Sequence, residues 1–381
     1  MKAVGGGAMV GILGGGQLGR YLVLAAARRG LKTFVVDPSP QAPALRLADH
    51  ARAAFFTDCS VLEEMARTCD VVTFESESVP VQALETLAQL GGTVLPGTRS
   101  LGIAQDRILE KTFLDRLGIP VAPWCAIEQA SDFSKAIGLL ERGAILKTAR
   151  EGYDGKGQRR VDSLQGLESA WDSFGRGPCV VEARVDFVQE VSVLVARDRF
   201  GSIALHPPIE NRHHRHVLDL SVFPARIADP TSRRVEAITR TIASALEHVG
   251  VLAVEFFVLP DGNVLVNEIA PRPHNSGHIT LENPVSQFEQ HLRCILGFPV
   301  HPDFSTRGSA VMANLLGDLW SPSGDPRWEF LATEPEAYLH LYGKEVRSGR
   351  KMGHITLTGV DPDALVRRAN VLRDGIFARP D

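Results

Sequence analysis

Cysteine is scarce and badly placed for a covalent framework. The five cysteines (Cys59, Cys69, Cys125, Cys179, Cys294) are odd in number and scattered, and no two form a CxxC pair. This argues against a disulfide scaffold or a structural zinc site and fits a reducing cytoplasm. Charge of one sign is also lacking. A net charge of −4 over 381 residues does not make an electrostatic nucleic-acid binder. No apolar run approaches the roughly 20 residues of a membrane span. The start, MKAVGGGAMVGILGGG, is apolar but full of glycine. It lacks a charged n-region and a small-residue cleavage site, so it reads as the beginning of the fold rather than a leader. There are no repeats and no low-complexity tract. The glycine-rich loop around Lys156 is not a Walker A motif, because Gly157 follows the lysine where Ser or Thr is needed.

What is present is a large apolar fraction, 44%, enough for packed cores. The length suggests two or three domains at a prior of about 150 residues each. Strand and helix patterns alternate through the first hundred residues: strands at 9–14, 31–37, 53–56 and 71–75, helices at 17–29, 61–68 and 81–90, and a last short strand at 93–95. That alternation predicts a parallel, helix-covered sheet of the doubly wound type, with a boundary near residue 100. A helix over 107–117 stops at Gly118 and Pro120. Residues 121–185 read as short strands and one or two helices around the glycine loop. A strand-turn-strand follows over 187–205, then a long helix over 231–248. Strands at 253–259 and 263–269 are joined by Pro260-Asp261-Gly262, a strong hairpin turn. Strands near 310–316, 336–341 and 354–358 and a helix over 361–373 complete the chain.

Several stretches carry chemistry. Gly14-x-Gly16-x-x-Gly19 follows a strand and opens a helix, and Asp37 ends the next strand. This spacing suits phosphate at a helix N-terminus, or a structural tight turn, and Gln17 is a candidate side-chain contact. Gly152 to Gln158 (GYDGKGQ) suits a lid whose amides face phosphate oxygens, or an exposed hairpin. Lys147 ends an apolar strand, and Arg107 begins its helix; both are candidate phosphate cations. Val180 to Val185 is a strand whose end could read adenine, with Glu190 nearby for ribose hydroxyls, though pattern alone does not separate it from an ordinary strand end. Glu255 and Glu268 each interrupt an apolar run on the two arms of the hairpin. Such acids need a cation, and magnesium takes one or two carboxylates with water and phosphate. After Glu268 come Arg272, His274, Asn275 and Ser276, a set suited to holding an anion. Asn211 to His216 (NRHHRH) reads as a mobile polar loop with one histidine touching substrate. Lys344 to His354 gathers Lys344, Arg347, Arg350, Lys351 and His354 around Gly349, suited to a phosphate or carboxylate.

In this order the pieces resemble the ATP-grasp superfamily, and within it the 5-(carboxyamino)imidazole ribonucleotide synthases. The resemblance rests on GILGGGQLGR, TFESE (73–77), Asp106-Arg107, KTFLDRLGIPVAPW, GYDGKGQ, FVQEVSV, AVEFF, NEIAPRPHNSGH and KEVRSGRKMGH, which span residues 11 to 354. It implies an α/β ATP-grasp fold with a Rossmann-like pre-ATP-grasp domain at 1–105. An ATP-grasp domain at 106–305 with a lid at about 121–185 follows, then a small C-terminal domain at 306–381. It implies a cytoplasmic, homodimeric carbon–nitrogen ligase of purine biosynthesis. ATP would phosphorylate bicarbonate to carboxyphosphate, and the resulting carbon dioxide would be captured by the amino group of 5-aminoimidazole ribonucleotide. Neither nucleic acid nor a membrane is an implied partner.

By the same resemblance, ATP would be held by Arg107, Lys147, Gly152, Tyr153, Asp154, Gly155, Lys156, Gly157, Gln158, His213, Asn267 and Glu268. Glu182, Ala183, Arg184 and Val185 would form the adenine hinge, and Glu190 would contact ribose. Glu255 and Glu268 would hold magnesium, one ion or two. Arg272, His274 and Asn275 would hold bicarbonate and carboxyphosphate. Gly16, Gln17, Leu18, Glu75, Tyr153, Asp154, Lys344, Arg347, Arg350 and Lys351 would receive the ribonucleotide, with Lys344 and Arg350 also at the chemistry. Two positions depart from the family pattern. Ser76 stands where an apolar residue is usual. Ser348 stands where proline is usual, which predicts a looser turn.

Three other readings stay open at this point. A formate-using glycinamide ribonucleotide transformylase shares the superfamily. An NAD dehydrogenase would use the GGGQLG turn and Asp37 but leaves Glu255, Glu268 and the 152–158 loop without a task. A nucleotide sensor would bind ATP without turnover.

Overall fold

The computed structural model describes residues 7–152, 155–320 and 326–377. The first hundred residues form the alternating unit. Strands β1 (Met9–Leu13), β2 (Lys32–Asp37), β3 (His50–Ala53) and β4 (Val71–Phe74) form one sheet in the order β3-β2-β1-β4, all parallel. Helix α1 (Gln17–Ala27) buries Leu18, Tyr21 and Leu22 on one face, against Phe288 and Leu292 from much later in the chain. Helices α2 (Cys59–Thr68) and α3 (Val81–Gln89) cover the other face through Leu62, Met65, Leu84 and Leu87. Each such buried aliphatic side chain contributes roughly 1.5–3 kcal/mol. The third strand lies earlier than 53–56, because Phe55 and Phe56 follow the pairing of Asp37 with Ala53 rather than extend it. Residue 94 makes one isolated bridge to Val72 instead of a strand. Helix α4 (Thr98–Ala104) runs through the expected boundary near 100.

Helix α5 (Arg107–Arg116) starts at Asp106, whose carboxylate accepts the N–H groups of Ile108 and Leu109 at 3.0 and 3.3 Å. That cap satisfies amides that a helix start otherwise leaves orphaned. The helix ends at Gly118, with a left-handed φ of +65°. The lid follows: β5 (Trp124–Ile127), α6 (Phe133–Leu140), β6 (Ala144–Thr148), β7 (Gln158–Val161), α7 (Leu164–Ser173) and β8 (Cys179–Ala183). Its sheet order is β5-β8-β6-β7, antiparallel, around a separate core of Ile127, Leu140, Leu146, Trp171 and Val181.

The rest builds one large antiparallel sheet. Its elements are β9 (Gln189–Arg197), β10 (Ile203–Leu205), β11 (Ile209–His214), β12 (Val217–Phe223), α8 (Asp229–Ala245), β13 (Gly250–Val258), β14 (Val264–Ala270), α9 (Gln287–Ile295), β15 (Ser309–Leu316), β16 (Ala337–Leu341), β17 (Lys351–Gly359) and α10 (Pro362–Phe377). The order is β14-β13-β9-β11-β12-β15-β17-β16, with β10 on β9. The last seventy residues therefore extend the central sheet through the β12–β15 pairing. Residues 211–216 are not a loop. They lie on the β11–β12 hairpin, whose turn residues Arg215 and His216 take φ of +50° and +67°, the left-handed pair a tight hairpin turn requires.

Candidate active site

The glycine turn before α1 is already filled. Glu75, just past β4, lies beside it, and its carboxylate accepts the N–H groups of Gly16 and Gly19 at 2.7 Å each. Asp37 accepts the N–H of Gly15, also at 2.7 Å. A Cβ on Gly14 or Gly16 would come within 2.4 Å of the Glu75 side chain. The glycine spacing thus admits a carboxylate of the chain itself, as the tight-turn reading allows. Burial pushes the Glu75 carboxyl above its ordinary value, while the Gly19 N–H and Lys344 pull it down. Lys344, from the far end of the chain, donates to the Gln17 side chain. Gln17 and Leu18, at the start of α1, therefore sit at the same junction as Glu75 and Lys344.

Helix α5 faces the cleft with Arg107, Glu110 and Lys111, which at i, i+3 and i+4 share one face. Arg107 donates to the Thr148 and Gly152 carbonyls at 3.2 and 3.1 Å, at the root of the glycine loop. Glu110 accepts the Ile269 N–H at 2.6 Å. Burial, and next the charge of Glu268, push its carboxyl up to about 8. Lys111 is buried, with Nζ 3.2 Å from Glu182, and Lys147 reaches the other oxygen of Glu182 at 2.9 Å. Burial alone would raise the Glu182 carboxyl; Lys147 and Lys111 together hold it below its ordinary value. The side chain of Glu182 is thus committed to two lysines, and its backbone lies in the lid sheet opposite Trp124 and Ile145. Of the other hinge residues, Ala183 and Arg184 give their N–H groups to Pro123 and Gly143. Arg184 pairs with Asp186 on the surface, and Val185 follows. Of the glycine loop, Tyr153 and Asp154 lie outside the described residues. Gly155 and Gly157 take φ of +80° and +69°. A Cβ on Gly155 would meet His216 at 2.7 Å, and Gln158 lies 3.3 Å from the same ring. The loop therefore packs beside the histidine hairpin.

The β13–β14 hairpin sets Glu255 directly across from Glu268. A bulge there leaves Asn267 as the extra residue, since Phe256 pairs with Val266. The two carboxylates are not equivalent. Burial would raise both. For Glu255 this is overcome by His274, whose Nε2 lies 3.1 Å away, and its carboxyl is held low. For Glu268 the charge of Glu255 adds to burial, and its carboxyl is raised. Neighbouring groups crowd Glu268, yet its side chain is exposed to the cleft. A like-charged pair facing a cleft fits a divalent cation, which takes one or two carboxylates and completes its shell with water and phosphate.

Behind this pair runs a buried polar chain. His274 Nδ1 lies 2.9 Å from Ser276, which is 2.8 Å from Ser192; Asn211 donates to Ser192 at 2.9 Å. Asn275 is buried, and both polar atoms of its amide lack a hydrogen-bond partner among the described residues. A buried orphaned amide points to a ligand or water. Arg272 is clamped by Glu77, with Nε and Nη2 each 2.8 Å from one carboxylate oxygen. His213 Nδ1 lies 2.8 Å from Glu190. Burial would lower its pKa, but the Glu190 bond and the field of Glu255 raise it.

The basic turn closes the cleft from the C-terminal side. Asp318 accepts the Ser348 hydroxyl and, at 2.5 Å, the Gly349 N–H. Ser348 thus ties the turn down, where loss of a proline led us to expect looseness. Ser76, the other departure, lies 2.9 Å from the Ser78 hydroxyl in an exposed turn. Arg347 pairs with Glu345 and stays exposed, and Arg350 donates to the Glu345 carbonyl at 3.1 Å. Burial lowers the Lys344 amine to about 8, helped by Arg350 and Lys351 and opposed by Glu75. Lys351 in turn acts on Glu255. Charges from β4, α5, the hairpin and the basic turn therefore meet in one cleft. Pattern reading did not single out Glu77, Glu110 and Lys111. Their signal was the helical phase of 110 and 111 with Arg107, and the acid two residues beyond Glu75.

Three family models match: a ribonucleotide synthetase preATP-grasp domain over residues 8–105, an ATP-grasp domain over 112–288, and a phosphoribosylaminoimidazole carboxylase C-terminal domain over 310–368. The N5-carboxyaminoimidazole ribonucleotide synthase of Brucella melitensis is 43% identical over 354 residues, covering 92% of this chain and 96% of that protein. A Staphylococcus aureus N5-carboxyaminoimidazole synthetase solved with ADP superposes with a TM-score of 0.89 at 34% identity, over 98% of this chain and 99% of that one. An Aspergillus clavatus N5-carboxyaminoimidazole synthase solved with ADP and 5-aminoimidazole ribonucleotide gives 0.86 at 29% identity, over 97% and 99%.

Proposed function

The chain belongs to the N5-carboxyaminoimidazole ribonucleotide synthases, and on that premise we propose how its residues divide the reaction. It is an ATP-grasp ligase of purine biosynthesis that carboxylates the amino group of 5-aminoimidazole ribonucleotide at the expense of ATP. The observation that carries the division is the single charged cleft. Glu268 feels Glu255, Arg107 and His274, and Glu75 feels Lys344 and Arg272. Nucleotide-facing and ribonucleotide-facing groups are thus within electrostatic reach of one another.

Arg107, Lys147 and the Gly152–Gln158 loop hold the phosphates of ATP. The Glu182–Val185 segment carries adenine through its backbone, and Glu190, steadied by His213, takes the ribose. Glu255 and Glu268, with Asn267 at the bulge, would hold magnesium, which neutralises the phosphate charge as it is transferred. A bicarbonate oxygen attacks the γ-phosphorus, the bond to ADP breaks, and carboxyphosphate forms. Arg272, His274 and the orphaned Asn275 amide hold this anion, and His274 also steadies Glu255. Carboxyphosphate then splits to carbon dioxide and phosphate. The amino group of the ribonucleotide attacks the carbon and loses a proton to the phosphate just released. Lys344, Arg347, Arg350 and Lys351, with Gln17 and Glu75, fix the ribonucleotide so that its amine meets carbon dioxide before water does.

The units at 1–105, 106–305 and 306–381 then contribute ribonucleotide, ATP and closing contacts respectively. Among the described residues no helix is long and apolar enough to cross a membrane. We take the working form as a cytoplasmic homodimer, to be checked by sedimentation. The function is tested by ADP release with ribonucleotide and bicarbonate omitted in turn. Dependence on both is expected; dependence on formate and glycinamide ribonucleotide instead would overturn the reading.

A further inference from the structure

Lys111 is a buried cation for which the proposed reaction has no direct use. Its side chain is 2% exposed, and its Nζ lies 3.2 Å from Glu182. It projects from α5 across to the lid sheet, where Lys147 on β6 reaches the other oxygen of the same carboxylate at 2.9 Å. Glu110, its neighbour on α5, is turned to the Ile269 N–H instead. Two lysines therefore share one carboxylate, with one positive charge in surplus. Lys147, with 14% of its side chain exposed, is the member of the trio that reaches the cleft.

We propose that Lys111 is a positioning residue for ATP: it neutralises Glu182 from the buried side, so that Lys147 keeps its charge for the nucleotide phosphates. The inference rests on the assignment of Lys147 to ATP. With Lys111 uncharged, Lys147 is locked one-to-one with Glu182. It must then weaken a buried ion pair to grip phosphate, and such pairs are costly to disturb. With Lys111 charged, Glu182 stays satisfied while Lys147 turns toward phosphate. Lys111 also ties the lid root to α5, which carries Arg107. The two phosphate cations are then held at a fixed spacing.

The test separates charge from packing. Lys111→Gln keeps a hydrogen-bond donor of similar length but drops the charge; Lys111→Arg keeps the charge. In the full chain, Lys111→Gln is expected to raise KM for ATP roughly tenfold, a difference of about 1.4 kcal/mol. Its kcat at saturating ATP and its KM for the ribonucleotide should stay within about twofold. It should also shrink the rise in melting temperature produced by ADP, whereas Lys111→Arg stays near wild type in all of these. A lower melting temperature of Lys111→Gln with KM for ATP and the ADP shift unchanged would show a packing role and overturn the proposal. Equal losses in the Gln and Arg variants would overturn it as well. If the Arg variant does not fold, the ADP shift of Lys111→Gln decides alone. Lys147→Ala serves as the control. If it leaves KM for ATP unchanged, the assignment of Lys147 falls; if it raises KM while Lys111→Gln does not, only the role of Lys111 falls.

Discussion

The lid root buries one carboxylate and the β13–β14 hairpin turns another to the cleft, and the two are treated in opposite ways. Glu182 has two lysines against it, and its carboxyl is held below the ordinary value. Glu268 faces Glu255 across the hairpin, and its carboxyl is pushed up. An acid whose task is structural brings its counter-charge with it. Under the proposed division, the acid that would hold a cation is left electrostatically unfinished. Glu75 lies between the two: its oxygens accept the Gly16 and Gly19 amides, yet burial still raises its carboxyl.

The comparison can be broken most sharply at the hairpin. Glu268→Gln is expected to lower kcat by about a thousandfold or more, as loss of a metal-holding carboxylate in phosphoryl transfer should. ATP should still bind, measured by calorimetry; retention of turnover would dissolve the distinction. Next in size, Lys147→Ala should lower kcat/KM for ATP by about a hundredfold, a loss of about 2.7 kcal/mol of transition-state binding, with KM for the ribonucleotide little changed. Stability should divide the two acids in the opposite direction. Glu182→Ala strands the buried Lys111 beside the half-buried Lys147 and should cost about 3–5 kcal/mol in denaturant unfolding. Glu268→Gln removes a repulsion and should cost nothing.

A smaller effect is expected from the basic turn. Arg350→Ala should raise KM for the ribonucleotide about tenfold, with KM for ATP within about twofold. Smallest is a pH effect. The Lys344 amine is lowered to about 8, so it is charged below that pH and neutral above it. An anionic substrate prefers the charged form, so KM for the ribonucleotide should rise by a few-fold as pH climbs from about 7 to 9. A flat profile would place Lys344 away from the phosphate.

The sequence showed some of this contrast and hid the rest. Alternating apolar runs made the first parallel sheet legible, and Pro260-Asp261-Gly262 made the hairpin with Glu255 and Glu268 legible. The glycine turn was ambiguous, because glycines that admit a phosphate and glycines that admit Glu75 have the same spacing, and the Glu75 contact comes from a residue some sixty positions away. The strand at 209–214 was hidden because histidine and arginine give no apolar alternation, and its left-handed turn falls on Arg215 and His216 rather than on Asn-Gly. Lys111 was hidden because a lysine on an amphipathic helix normally lies on the wet face. Here the lid sheet covers that face, and no local pattern records a partner brought from residue 182. The joining of β15 to β12 is likewise a matter of register between distant strands.

The central claim is that the Glu255–Glu268 pair is completed by a magnesium-bound nucleotide. Its most direct test is the melting temperature of wild type and Glu268→Gln, each alone, with ADP, and with ADP plus magnesium. The account predicts that the variant alone melts no lower than wild type, and that the part of the ADP-induced rise that depends on magnesium is lost. A variant that melts several degrees lower on its own and keeps the full magnesium-dependent rise would contradict it.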